Sequence, residues 1–156
     1  MSRNIQSGIK QSRPFTSLAE EAFIALQRTA DRLAGRVAEM LKQHGLSPTQ
    51  YNALRILRGA GPQGLACSEI GERMINRDPD ITRLVNRLEG RGFVERSREQ
   101  KDRRVITTRI TPAGLQILKE LDRPIEEHHR RLLGHLGEQR LRSLVQLLEA
   151  ARDRAV

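Results

Sequence analysis

Apolar residues recur at helical spacing through most of the chain, and the spacing changes where one element gives way to the next. Phe23, Leu26, Ala30, Leu33, Val37 and Met40 fall in near-heptad steps. That narrow stripe is what a helix shows when it packs along another helix. Ser17 and Glu20 stand at capping-box spacing and Gly45 supplies a stop. The pattern therefore predicts a helix from Ser17 to about His44, roughly 40 Å long at 1.5 Å per residue. So long a helix in so small a protein is expected to pack partly on a second chain.

The next elements carry stronger local signals. Ser47, Pro48 and Gln50 read as N-cap, first helical residue and capping-box partner. Tyr51, Leu54 and Leu57 form the inner face of the helix they open. Gly59–Gly64 ends it. A short helix is expected from Cys67 to Ile75, with Ile70 and Met74 inward and no clear cap. Asn76–Asp80 reads as a turn into a fourth helix, with Asp78 as cap, Pro79 at the first helical position and Asp80 near the positive dipole end. Phe93–Arg96 and Val105–Ile110 alternate as short strands, and the charged segment Ser97–Arg104 joins them. Thr111 and Pro112 open another helix, which Pro124 is expected to break or kink. Gly134 and Gly137 flank a turn. A last helix carries Leu141, Leu144, Val145 and Leu148 on one face.

Charge narrows the function classes. The chain has 156 residues with 28 Lys and Arg against 19 Asp and Glu, a formal net charge of +9. A small protein this basic is expected to meet a polyanion, nucleic acid before an anionic membrane surface. No apolar run approaches the roughly 20 residues of a membrane span. The N-terminal segment 1–15 is basic and aperiodic, reads as a flexible arm, and lacks the apolar core of a secretory signal. A single cysteine, Cys67, forms no intrachain disulfide, and a cytoplasmic location is expected. Its place near a helix start could lower a thiol pKa, but a packing role is the stronger reading. Glu126–Arg131 holds adjacent histidines, which point apart on a helix and suit a solvated face better than a metal site. No nucleophile–base pair, phosphate loop or metal-ligand spacing stands out, so neither an enzyme nor a cofactor is expected.

The fourth helix carries the chemistry. Ile81, Leu84, Val85 and Leu88 make one buried face. Opposite them lie Pro79, Thr82, Arg83, Asn86 and Gly90, with Arg87 beside. Arg can bond guanine bidentately, Asn can do so with adenine, and Thr can bond a base edge or touch a thymine methyl. A solvated amphipathic helix would show the same face, and this helix alone does not separate the two readings. Its neighbours do: short helix, turn, amphipathic helix, then a hairpin with a basic tip is the order of a winged helix-turn-helix. The tip holds Lys101, Asp102, Arg103 and Arg104. Arginines there suit the narrow minor groove, where the negative potential is strongest. From Asp80 to Arg104 there are eight Lys or Arg and five acids. So small an excess makes placement, not amount, the argument.

Asp102–Gly114 (DRRVITTRITPAG) resembles the signature of the MarR family: Asp-x-Arg, a strand, then Leu-Thr-x-x-Gly, with Ile110 in place of Leu. Ile81–Arg96 resembles that family's recognition helix and first wing strand, and Leu65–Met74 the helix before it. The resemblance spans roughly residues 17–152. It implies a mainly α fold: a winged helix-turn-helix with a two-stranded β-wing and N- and C-terminal dimerisation helices. Residues 16–156 would form one domain, with 47–122 the DNA-binding lobe and 16–45 and 125–156 the dimerisation helices. Phe23, Leu26, Leu33, Val37, Leu141, Leu144, Val145 and Leu148 would then meet a second copy. Arg83 and Asn86, flanked by Thr82 and Arg87, would read double-stranded DNA. Arg103 or Arg104 would enter the minor groove, and Asp102 would brace the wing; Arg98 and Lys101, from their place on the hairpin loop alone, are expected to act mainly through charge. The resemblance also implies a homodimeric repressor on a pseudo-palindromic operator, released by a small aromatic or anionic effector. The chain departs from the family at Asp78, Pro79 and Asp80, where Ser, Thr or Arg is common. Two rival readings are a non-specific architectural DNA binder and a winged-helix module that docks a protein.

Overall fold

The computed structural model describes residues 14–76, 80–98 and 106–153. The chain divides into two compact units, residues 1–40 and 41–156. The first holds most of helix α1, Leu18–Gln43. The Ser17 hydroxyl accepts the Glu20 N–H at 3.1 Å, as the spacing predicts. The return half of the box is displaced by one residue. The Glu20 carboxylate takes both the N–H and the hydroxyl of Thr16, each at 2.7 Å, gaining two bonds where Ser17 would give one. Those bonds hold the Glu20 carboxyl below its ordinary range.

The second unit is a helical lobe around a small sheet. Leu46 N–H reaches back to the Leu41 carbonyl at 3.1 Å, and Gly45 at φ +70° makes the turn between them. This is the left-handed helix stop that glycine favours. Helix α2, Pro48–Ala60, has the full capping box of Ser47 and Gln50 and buries Tyr51, Ala53, Leu54 and Leu57. A 3₁₀ turn, Gly61–Gln63, leads to strand β1, Leu65–Ala66. Helix α3 is Cys67–Arg73. Its cap residue Ala66 has no hydroxyl, and the Glu69 carboxylate bonds the Ala66 N–H at 2.9 Å instead. Helix α4 is Ile81–Gly90, followed by β2, Val94–Arg98, and β3, Ile106–Ile110. The strand order is β1-β3-β2, all antiparallel. The predicted hairpin thus gains a third strand of two residues, Leu65 and Ala66, opposite Thr108 and Thr107.

Helix α5, Pro112–Leu133, runs through Pro124 without a break, which excludes the first of the two outcomes expected for that residue. Proline in a helix removes one ladder bond and crowds the preceding turn, at a cost of about 3 kcal/mol. Leu121 and Ile125 are both buried on either side of it and hold the helix to the core. After a 3₁₀ turn at Gly134–Leu136, helix α6 spans Glu138–Asp153 and has no buried residue. The core is Leu54, Leu57, Ile70, Val85, Leu88, Val94, Leu118 and Leu121, all at 2% exposure or less.

One glycine joins the wing to the lobe. Thr111 caps α5 by accepting the Gly114 N–H at 3.1 Å, and its hydroxyl bonds the Gly92 carbonyl at 2.7 Å. A Cβ on Gly114 would lie 2.3 Å from the Phe93 carbonyl oxygen and 2.7 Å from Ile110 Cγ1. Backbone cannot swing aside as a side chain can, so Gly114→Ala should destabilise the fold by roughly 1–3 kcal/mol. A Gly90→Ala chain, whose Cβ meets open space, is the control. Urea midpoints of the two variants check this, and equal midpoints would refute the packing argument.

Candidate nucleic-acid interface

Helix α4 is fixed at its start by a side-chain cap. The cap is Asp80, whose carboxylate accepts the Arg83 N–H at 2.9 Å. The helix therefore opens two residues later than the Asp78 cap predicts. Asp78 and Pro79 lie outside the described residues. The turn before it is held from α2, where the Asn52 side-chain oxygen accepts the Ile75 N–H at 2.9 Å. Met74 beside it is buried.

The predicted apolar face is in place. Leu84, Val85 and Leu88 are buried and Ile81 is half-buried. Thr82, Arg83, Asn86 and Arg87 are all exposed. At 3.6 residues per turn, Arg83 and Asn86 stand on the crest opposite the buried stripe, with Arg87 on one flank and Thr82 and Glu89 on the other. Two features orient those flanks. Asp80, Arg83 and Arg87 line a cleft of about 220 Å³ whose far wall is Ser47, Thr49 and Gln50 at the start of α2. Glu89, on the opposite flank, bonds Arg96 of β2. The crest thus lies between the α2 N-terminus and the wing.

The Glu89–Arg96 contact has three bonds. Glu89 Oε2 accepts from Arg96 Nε at 2.9 Å and Nη2 at 2.5 Å, and Oε1 accepts the Arg96 N–H at 3.2 Å. The hydrogen bond from the guanidinium holds the Glu89 carboxyl below its ordinary range. At the other end of α4, Arg91 donates to the Gly45 carbonyl at 2.5 Å and lies over the Phe93 ring, 4.6 Å from its centroid. Arg109 ties the sheet to the lobe, with Nε on the Pro62 carbonyl at 2.9 Å and Nη1 on Ser97 Oγ. Arg58 Nη1 reaches both carboxylate oxygens of Asp122 at 2.9 Å, linking α2 to α5.

Arg98, exposed, ends β2. Lys101, Asp102, Arg103 and Arg104 lie outside the described residues. Phe23, Leu26 and Val145 are exposed, and Leu33, Val37, Leu141, Leu144 and Leu148 are half-buried in the single chain. Cys67 is half-buried. Among the described residues no group of three or more His, Cys, Asp or Glu is placed to hold a metal ion, and no helix is long and apolar enough to cross a membrane. The residues that sequence reasoning missed are Ser47 and Thr49 as the cleft wall, Asn52 as the holder of the turn before α4, and the Glu89–Arg96 pair. Each depends on contacts between elements. The opposite charges of Glu89 and Arg96 across the Gly90–Gly92 turn were the one signal available.

The chain matches the MarR family model over residues 46–106. It is 44% identical to a MarR transcription factor from Planctomyces limnophilus, whose crystal structure aligns with a TM-score of 0.68 over 88% of this chain and 99% of that one. It is 31% identical over 109 residues to the HTH-type regulator YcgE of Bacillus subtilis, covering 70% of each. It is also 31% identical to the repressor MdtR of the same organism, over 62% of this chain and 61% of that one. Matches to related regulators span between 51% and 75% of those proteins' own length. The fold also matches the Staphylococcus aureus MepR–DNA complex, with a TM-score of 0.76 at 17% identity over 90% of this chain and 98% of that one. A winged-helix lobe of this topology, with an arginine and an asparagine on the crest of its fourth helix, is thus found in a chain that belongs to the MarR family of DNA-binding transcription regulators.

Proposed function

We propose that the protein is a sequence-specific repressor that binds a pseudo-palindromic operator as a homodimer. The observation that carries this reading is the crest of α4: Arg83 and Asn86 are exposed one turn apart, on a helix whose opposite face is buried. These are the side chains that bond guanine and adenine edges in the major groove. Thr82 stands on the wing side of the same groove. Arg87 lines the cleft together with Ser47 and Thr49 at the start of α2. A phosphate there would meet a guanidinium and a helix N-terminus together, which positions the protein without reading sequence. Arg98 and Lys101 add charge, Arg103 or Arg104 enters the minor groove, and Asp102 braces the wing.

Residues 16–156 act as one domain, with the apolar faces of α1 and α6 as the dimer surface. The repressor sense is supported by the name of MdtR. A cytoplasmic location and release by a small aromatic or anionic effector complete the reading. Selection from a random DNA pool tests it. A two-fold symmetric site should emerge, and equal binding to selected and scrambled duplexes would favour the architectural reading. No salt-dependent DNA binding would favour the protein-docking one.

The wing has its own test. Arg103→Ala with Arg104→Ala should weaken operator binding and flatten the plot of log K against log salt, because fewer counterions are released when fewer cations meet the duplex. Titration at four or more salt concentrations measures the slope. An unchanged slope would place the wing off the DNA.

A further inference from the structure

We propose that Glu89 and Arg96 are a positioning pair that sets the angle between the recognition helix and the wing, so that major and minor grooves are engaged in one register. The inference rests on the DNA reading of α4 and the wing. Its basis is where the pair sits on the outgoing strand. Along β2, Val94 is buried, Glu95 exposed and Arg96 half-buried, and Ser97 and Arg98 are exposed. Val94 and Arg96 share a strand face by the two-residue alternation of a strand. Beyond Arg96, no residue of β2 is covered. Arg96 is therefore the last residue of the outgoing strand, on that face, tied to α4 before the chain continues towards Arg103 and Arg104.

The tie restrains both direction and rotation. The Arg96 fork gives two bonds to one carboxylate oxygen, and the Arg96 N–H gives a third to the other. A planar guanidinium bonded at two nitrogens fixes an orientation as a single-point ammonium does not. Glu89 lies on the wing flank of the same helix that carries Asn86 on its crest. Turning the wing about α4 therefore requires breaking these bonds. Ser97, on the other strand face, is held separately by Arg109. That contact joins the strand to its sheet partner β3, whereas the Glu89 pair is the side-chain tie between the strand and α4, added to the backbone bonds of the turn, Gly92 N–H to Glu89 and Phe93 N–H to Leu88.

The test compares operator affinity for Glu89→Gln in two backgrounds, the wild-type wing and the Arg103→Ala/Arg104→Ala wing, at one fixed salt concentration. With the wild-type wing, the loss should be on the order of tenfold, with far-UV CD and thermal midpoint near wild type. In the stripped wing, Glu89→Gln should add little, because the contacts it positions are gone, and such non-additivity is the mark of coupled sites. Arg96→Lys keeps the charge without the fork and should follow the same pattern. It serves as the primary variant if Glu89→Gln does not fold. An equal loss in both backgrounds, or none in either, would overturn the proposal. The stripped wing alone tests the underlying DNA reading. If it binds like wild type, that reading of the wing fails, and the pair's role falls with it.

Discussion

Replacing Arg83 with alanine should cost roughly 1–3 kcal/mol on the operator and relax preference at one base pair per half-site. The change leaves the helix intact for three reasons. Asp80 caps it through the Arg83 backbone N–H, not the side chain. Leu84, Val85 and Leu88 remain buried. Alanine is also a better helix former than arginine. What is lost is a guanidinium on the crest. Arg87 is the internal comparison. It stands on the flank, across the cleft from Ser47 and Thr49, so Arg87→Ala should weaken operator and scrambled duplexes alike. Lys101→Ala should do the same through charge alone. Half-site centres should lie about 10–10.5 base pairs apart or a multiple of that, as two-fold symmetry on B-DNA requires. Titrating the three variants against both duplexes at several salt concentrations decides the matter. If Arg83→Ala weakens both duplexes equally, Arg83 is a phosphate contact and the recognition register is different. If it weakens neither, α4 is not in the groove.

Much of the lobe was legible because its signals are local. Ser47, Pro48 and Gln50 carry a helix start in four consecutive residues, and the structure has each bond they predict. Thr111 and Pro112 do the same for α5. The α4 stripe was legible because 3.6-residue periodicity survives without knowing what it packs on. Boundaries failed where two residues competed for one role. Asp78 reads as the cap and Asp80 as a dipole partner, and Asp80 is the cap of the helix Ile81–Gly90. Strand β1 was not legible because two residues, Leu65 and Ala66, carry no alternation to read. Pro124 does not break α5, because the local cost of proline was visible in the sequence and the burial of Leu121 and Ile125 that offsets it was not. For the proposed site, 3.6-residue periodicity sufficed to put Arg83 and Asn86 on the exposed face opposite the buried stripe. The orientation of that face came from tertiary contacts, the cleft with α2 and the pair with Arg96, which no sequence period contains.

Charging the apolar face of α6, with Leu144→Glu and Val145→Glu together, should abolish dimerisation and with it most operator affinity. Helix α6 has 16 residues, none of them buried in the single chain. A helix of that length is marginal in water without a packed face, yet Val145 is 53% exposed. In the other unit, Phe23 is 60% and Leu26 45% exposed on α1. Two long helices that each leave large apolar side chains in water are the expected halves of a two-fold interface, where the same patch meets its copy. Wild type should then sediment as a dimer at micromolar concentration, and the double variant as a monomer or an unfolded chain. Because a dimer engages both half-sites as one particle, its loss should reduce operator affinity by about 10²-fold or more. Removing residues 17–44 should cost folding and dimerisation together, as obligate dimers often have no stable monomer. Sedimentation velocity beside far-UV CD separates the outcomes. A wild-type monomer with an intact helical spectrum would remove the dimer, and a double variant that stays dimeric would place the interface on another face.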